Sequence, residues 1–135
     1  MKILVVEDSF ISRRLLCRFL EPFGEIDVAM NGKEALKAAA HEVEAGHPYD
    51  LICLDIIMPE MDGHVALKEI RKVEKNADLA IGEGSKVIMT TSLEDSQSIR
   101  EAFHLSADGY VVKPIEKKKL LGVISELGLE LEIPL

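Results

Sequence analysis

Residues 51–63 read Leu-Ile-Cys-Leu-Asp-Ile-Ile-Met-Pro-Glu-Met-Asp-Gly. Four apolar residues run without polar interruption into a carboxylate, Asp55, which opens a Pro-containing loop. A short unbroken apolar run predicts a strand covered on both faces, the habit of parallel sheets packed between helices. The same pattern recurs on either side. Ile3–Val6, Val87–Thr90 and Tyr110–Val112 are near-continuous apolar runs like Leu51–Leu54, whereas in Ile26–Met30 the apolar Ile26, Val28 and Met30 alternate with Glu25, Asp27 and Ala29. The alternating run is the candidate edge strand.

Between these runs the apolar residues take helical spacing. Ile11, Leu15 and Phe19 mark a first helix that Pro22 and Gly24 end, and a second starts after Asn31-Gly32 and stops near Gly46. Val65, Leu67, Ile70 and Val73 mark a third, Ile99, Ala102 and Phe103 a fourth, and Leu120, Leu121, Ile124 and Leu127 a fifth before Gly128. Strand and helix alternating five times predict an α/β fold of βαβ units with right-handed crossovers. Asn76 to Ser85, rich in glycine and charge, reads as a surface loop before the fourth strand.

The chain has 135 residues, enough for one domain, and 47% hydrophobic with 30% charged residues is ordinary globular material. Its formal charge of −8 disfavours a dedicated nucleic-acid binder and points to proteins or cations as partners. Only Ile3 to Val6 separate Met1-Lys2 from Glu7-Asp8, too short an apolar run for a signal peptide or membrane span, so a cytoplasmic location is expected. Cys17 and Cys53 read as core or boundary residues, and His41, His47, His64 and His104 lack ligand spacing.

A chemically capable residue follows four of the five strands: Glu7-Asp8 the first, Asp55 the third, Thr91 and Ser92 the fourth, Lys113-Pro114 the fifth. In an open parallel sheet the carboxyl ends of the strands lie along one edge, where ligands bind. Three carboxylates gathered there repel one another unless cations join them. Lys113 supplies one, and Mg²⁺, which favours carboxylates, waters and phosphate oxygens, supplies the rest. Such a pocket is equipped for phosphoryl transfer, where positioning and charge neutralisation do most of the catalysis. Each residue alone has a structural reading: Asp8-Ser9 as a helix cap, Asp55 as a turn residue, Lys113 as a surface charge, Tyr110 as a strand aromatic. Their joint occurrence at strand ends carries the functional reading.

The stretches VVEDS (5–9), LICLDIIMPEMDG (51–63), VIMTTS (87–92) and DGYVVKP (108–114) closely resemble the response-regulator receiver domains of two-component signalling. The resemblance implies a three-layer, doubly wound (βα)5 flavodoxin-like fold with a parallel sheet in the order 2-1-3-4-5, a receiver domain over 1–128 and a short tail over 129–135. It implies that Asp55 accepts a phosphoryl group from a phosphohistidine of a sensor histidine kinase or phosphotransfer protein, forming an aspartyl phosphate. Asp8, Asp55 and the backbone carbonyl of Ile57 would coordinate Mg²⁺, with Glu7 acting largely through bound water. Thr91 would hydrogen-bond a phosphoryl oxygen and Lys113 would pair with Asp55 or its phosphate. Tyr110 would change rotamer as Thr91 moves inward, altering the surface of the fourth helix, fifth strand and fifth helix that a downstream target reads. Ile57 and Leu93 would flank the approach of water and tune the phosphoryl lifetime. Pro114 makes the peptide after Lys113 a candidate cis bond.

Two departures stand out: Glu7-Asp8 where the family usually has two aspartates, and Ser92 where it usually has alanine. The expected function is a phosphorylation-dependent signalling switch that turns over no external substrate. Glu116-Lys117-Lys118-Lys119 reads as the wet face of a helix, with a partner-contact role as the alternative. Three other functions fit these residues less well. A haloacid-dehalogenase-type phosphatase wants Asp-x-Asp after the first strand, which Glu7-Asp8-Ser9 lacks. A flavodoxin needs a first loop that cradles phosphate, and two carboxylates repel one. A receiver-shaped interaction module that no longer uses phosphate is opposed by the joint presence of Asp8, Asp55, Thr91 and Lys113.

Overall fold

The computed structural model describes residues 1–58, 60–79, 83–92, 107–129 and 131. Five strands, β1 (Lys2–Val6), β2 (Glu25–Ala29), β3 (Leu51–Asp55), β4 (Lys86–Thr91) and β5 (Gly109–Val112), lie in the order β2-β1-β3-β4-β5, every neighbouring pair parallel. This is the doubly wound order, and it puts the alternating strand β2 at one edge. Among the described residues the α-helices are α1 (Phe10–Leu20), α2 (Gly32–Glu44), α3 (Gly63–Asn76) and a terminal helix, Lys117–Glu126, with a short 3-10 turn, Glu21–Phe23, after α1. The expected fourth helix, with Ile99, Ala102 and Phe103, lies outside the described residues, as do Leu93 and His104.

Alternation along the strands sends side chains to two faces, and each face has its own core. On one face Leu4, Val6, Ile52, Leu54, Val87 and Met89 meet Ala35 and Ala39 of α2 and Ala66, Leu67 and Ile70 of α3. On the other, Ile3, Val5, Leu51, Cys53 and Ile88 meet Leu16 and Leu20 of α1 and Leu120 and Ile124 of the terminal helix. Three layers result. Each large side chain so buried contributes roughly 1.5–3 kcal/mol relative to exposure. Cys17 and Cys53 belong to the second core as free thiols, and Leu129 and Leu131 of the C-terminal tail pack against its margin.

The helix starts are fixed locally. Asn31 Oδ1 accepts the Glu34 N–H at 2.9 Å while Glu34 Oε2 accepts the Met30 N–H at 2.6 Å, a reciprocal cap on α2. Asp62 caps α3 through the Val65 N–H at 3.0 Å.

The apolar stripe of α1 is rotated from the expected one. Leu16 and Leu20 are buried, but Ile11 is 78% and Leu15 39% exposed. The helix packs against β1 and the edge strand β2, and Val28 of β2 is itself 53% exposed. Likewise in α3 the buried set is Ala66, Leu67, Ile70 and Glu74, while Val65 stands at the exposed rim.

Glu74 explains how the 76–85 segment returns to the sheet. Its carboxylate accepts the Ser85 N–H at 2.8 Å and an Arg71 N–H at 2.8 Å, and Arg71 also donates to the Ser85 carbonyl at 2.9 Å and to Asp108 at 3.0 Å. Asp108 in turn accepts the Val87 N–H at 2.8 Å. The buried charge is thus paired and hydrogen-bonded, the condition under which burial is tolerated.

Candidate functional site

The register brings the expected residues to one edge. Val6 pairs with Leu54 and Asp55 with Thr90, so Glu7, which follows Val6, falls beside Asp55, and Lys113 follows the end of β5 on the far side. Glu7 and Asp55 are buried and Asp8 is exposed, and their carboxylates offer ligand oxygens all within 4.8 Å of one another. The Lys113 ammonium lies 3.0 Å from Glu7 Oε2 and 3.2 Å from Asp55 Oδ2.

Backbone contacts hold these side chains in place. Ser9 caps α1, accepting the Ser12 N–H, and its own N–H donates to Glu7 Oε1 at 3.1 Å. The Glu7 N–H donates to the Ala29 carbonyl at 3.1 Å, continuing the β1–β2 ladder one residue past the strand. Gly63 makes a close approach possible: a Cβ there would stand 2.2 Å from the Asp55 carbonyl oxygen, while the Gly63 N–H donates to the Ile56 carbonyl at 2.7 Å. Only glycine lets α3 begin against the back of Asp55.

Burial and the neighbouring Glu7 charge push the Asp55 carboxyl up to about 6, against the pull of Lys113. Burial also works against the Lys113 ammonium, yet the two carboxylates beside it carry its pKa above the ordinary lysine value. Glu7 Oε2 is buried with no well-aligned hydrogen bond, and the Lys113 ammonium stands 3.0 Å from it. Oxygen donors that are crowded, under-neutralised and incompletely satisfied fit a hard divalent cation.

The remaining expected residues lie around this centre. Thr91 is buried at the end of β4, its hydroxyl donating to the Ser92 carbonyl at 3.4 Å, and its own carbonyl accepts the Lys113 N–H at 2.7 Å. Tyr110 pairs in register with Met89 and packs, half-buried, against the first core. Ile57 is 62% exposed, and the Lys113–Pro114 peptide is cis. Leu93 lies outside the described residues.

Two residues escaped the sequence reading. Arg13 of α1 reaches back to donate to the Glu7 carbonyl at 3.0 Å, its guanidinium 5.7 Å from the centre of the Phe10 ring. No spacing rule announces that contact. Thr90, directly across from Asp55, is fully buried; its signal was a hydroxyl interrupting the apolar run Val87-Ile88-Met89.

The response regulator receiver domain family matches residues 3–125. The chain is 35% identical over 127 residues to the chemotaxis protein CheY of Halobacterium salinarum, covering 93% of this chain and 95% of that one. It is 31% identical to the osmosensing histidine protein kinase SLN1 of Saccharomyces cerevisiae, where the match covers 93% of this chain but spans only 10% of the kinase. Among solved structures it is similar to the CheX-CheY-BeF3-Mg²⁺ complex from Borrelia burgdorferi, with a TM-score of 0.78 and 28% identity over 96% of this chain and 90% of that one. With the family match running over nearly the whole chain and a doubly wound sheet gathering an acidic trio and a lysine at its carboxyl edge, the chain belongs to the response regulator receiver domain family of two-component signalling.

Proposed function

We propose that this receiver is a phosphorylation-dependent switch whose phosphoacceptor is Asp55. The observation that carries the reading is the placement of a buried Asp55 between Glu7 and the Lys113 ammonium, which is 3.2 Å away, with Asp8 within ligand reach. An Asp55 oxygen attacks the phosphorus of a phosphohistidine. The new P–O bond forms as the P–N bond breaks, and the ring nitrogen leaves with the bonding pair and takes a proton from solvent. The attacking form is the ionised carboxylate, which the Lys113 ammonium favours.

Glu7, Asp8, Asp55 and the Ile57 carbonyl would hold Mg²⁺, which when bound screens the negative charge of the transferred group. Lys113 is placed to follow that charge, and Thr91 to donate its hydroxyl to a phosphoryl oxygen. The hydrogen bond between the Lys113 N–H and the Thr91 carbonyl ties the pocket to β5, where Tyr110 lies. Thr91 and Tyr110 form the two-state element that alters the surface of the expected fourth helix, β5 and the terminal helix for a downstream target.

The donor is a sensor histidine kinase or phosphotransfer protein sharing the cytoplasm with this chain. Phe10, Ile11, Leu15, Val28, Met30 and Ile57 are all exposed apolar residues, and most lie on α1 and β2 beside the carboxyl edge, an apolar surface suited to a protein donor. Incubation with acetyl phosphate and Mg²⁺ followed by intact-mass measurement tests the reading. One phosphoryl group is expected on the wild type and none on Asp55→Asn or in EDTA; equal labelling of Asp55→Asn overturns the assignment.

A further inference from the structure

Thr90 pairs in register with Asp55 on one side and Val111 on the other, and residues paired across parallel strands point to the same face of the sheet. Thr90 and Asp55 therefore share the face on which Glu7 and Lys113 converge. Thr90 is 0% exposed, and among the described residues its Oγ1 has no hydrogen-bond partner. The other buried side-chain atom in that condition is Glu7 Oε2. With β1 and β4 on opposite sides of β3, Glu7 and Thr90 flank Asp55, and whereas Glu7 Oε2 has the Lys113 ammonium 3.0 Å away, the Thr90 hydroxyl has, among the described residues, neither charge nor hydrogen bond to meet it.

A buried hydroxyl without a partner carries a desolvation penalty that valine, nearly identical in shape, escapes. The preceding residues of the strand are Val87, Ile88 and Met89, so packing alone calls for an aliphatic residue at this position. We propose that the Thr90 hydroxyl is a catalytic donor for loss of the phosphoryl group. This rests on Asp55 being the phosphoacceptor. When water attacks the phosphorus, a new P–O bond forms, the P–O bond to Asp55 breaks, and its electron pair returns to the carboxylate; inorganic phosphate leaves and the proton of water passes to it or to solvent. Half of the returning charge falls on the Asp55 oxygen that never bonded phosphorus. Lys113 is by then drawn to the phosphoryl oxygens, and Thr90, paired in register with Asp55 one strand away, is the buried hydroxyl left to supply an O–H. A donor held beside the oxygen where charge develops accelerates the step in which it develops.

Thr90→Val and Thr90→Ser test this, labelled with acetyl phosphate and Mg²⁺ and then freed of donor. Thr90→Val is expected to take up one phosphoryl group, to melt about 3–6 °C higher than wild type when metal-free, and to lose the group roughly three- to ten-fold more slowly, the factor one hydrogen bond supplies. Thr90→Ser should decay like wild type. Decay of Thr90→Val equal to or faster than wild type overturns the inference, as does a lower melting temperature, which would reveal a structural partner for the hydroxyl. A Thr90→Val protein that takes no label overturns it too, because the hydroxyl would then act earlier. A wild type that takes no label overturns the phosphoacceptor reading itself.

Discussion

Lys113 and Glu7 form the closest charge contact of the pocket, 3.0 Å between Nζ and Oε2, on a Glu7 side chain that is 1% exposed. The ammonium is therefore shared between Glu7 and Asp55, and the Glu7 charge helps to hold the Asp55 proton on. Glu7→Gln removes that charge, so the Asp55 midpoint should fall below its value of about 6, read by carboxyl-carbon NMR titration in chelator. The same substitution removes a candidate ligand, and a divalent-cation titration should show affinity weakened about ten-fold or more. An Asp55 midpoint that rises instead would refute this account of the pocket's charge.

Stability of the metal-free protein should fall as pH rises from 4 to 6. The Asp55 carboxyl is raised from the ordinary 3.8 to about 6, so within that window the folded state holds more protons than the unfolded chain. The penalty at pH 7 is on the order of 2–3 kcal/mol. Glu42, lowered from the ordinary 4.5 by its hydrogen bond from Lys2, acts at the bottom of the window and beneath it, with the opposite sign. Thermal melts in chelator should give a higher midpoint at pH 5 than at pH 7, and Asp55→Asn should flatten the profile and stabilise the protein at pH 7. An unchanged profile in that variant counts against the buried charge as its cause.

Aspartyl-phosphate lifetime depends on water reaching the phosphorus in line. Ile57 is bulky, apolar and 62% exposed, and together with Leu93 it should exclude water rather than orient it. Wild-type decay is expected to be slow, and Ile57→Asn with Leu93→Glu should speed it several-fold. Equal decay rates for the two proteins remove these residues from lifetime control.

Activation should register beyond the pocket. Beryllofluoride with Mg²⁺ is expected to shift the amide signals of Tyr110 and Lys117 as well as those near Asp55, because the Thr91 carbonyl and Lys113 N–H are joined at 2.7 Å. The amide of Phe103 should shift with them. Shifts confined to the loops after β1 and β3 would leave phosphorylation standing without a switch.

The rotation of α1 is open to a stability measurement. Leu16 is 1% exposed and Ile11 78%, so Leu16→Ala should cost about 2–5 kcal/mol and Ile11→Ala about 0.5 kcal/mol or less. Similar losses at both positions would mean that Ile11, too, is packed.

Strand runs and strand-end chemistry were legible because each depends on a few consecutive residues: Leu51–Leu54 needs no partner to read as a buried strand, nor Asp55 to read as its reactive end. The buried stripe of α1 was not, since Ile11, Leu15 and Phe19 satisfy helical spacing as well as the pair Leu16 and Leu20 does. Choosing between them requires knowing that α1 packs against an edge strand. Arg13 and Glu74 were hidden for a related reason: their partners are the Glu7 carbonyl and the Ser85 amide, backbone groups that every residue carries and no side-chain pattern announces. Thr90 was visible as a polar interruption but overshadowed by Thr91.

The Glu74 clasp on Ser85 bears on how much variation this chain tolerates. With α3 leaving on one side and β4 entering on the other, the ends of the intervening segment are tied together by Arg71, Glu74 and Ser85, at the sheet edge opposite Asp55. The entropy of closing a loop grows only with the logarithm of its length, about 0.6 kcal/mol per doubling. Extra sequence grafted between residues 79 and 83 therefore leaves strand pairing and phosphoacceptor geometry alone, which makes this segment the natural port for a reporter peptide or an inserted domain.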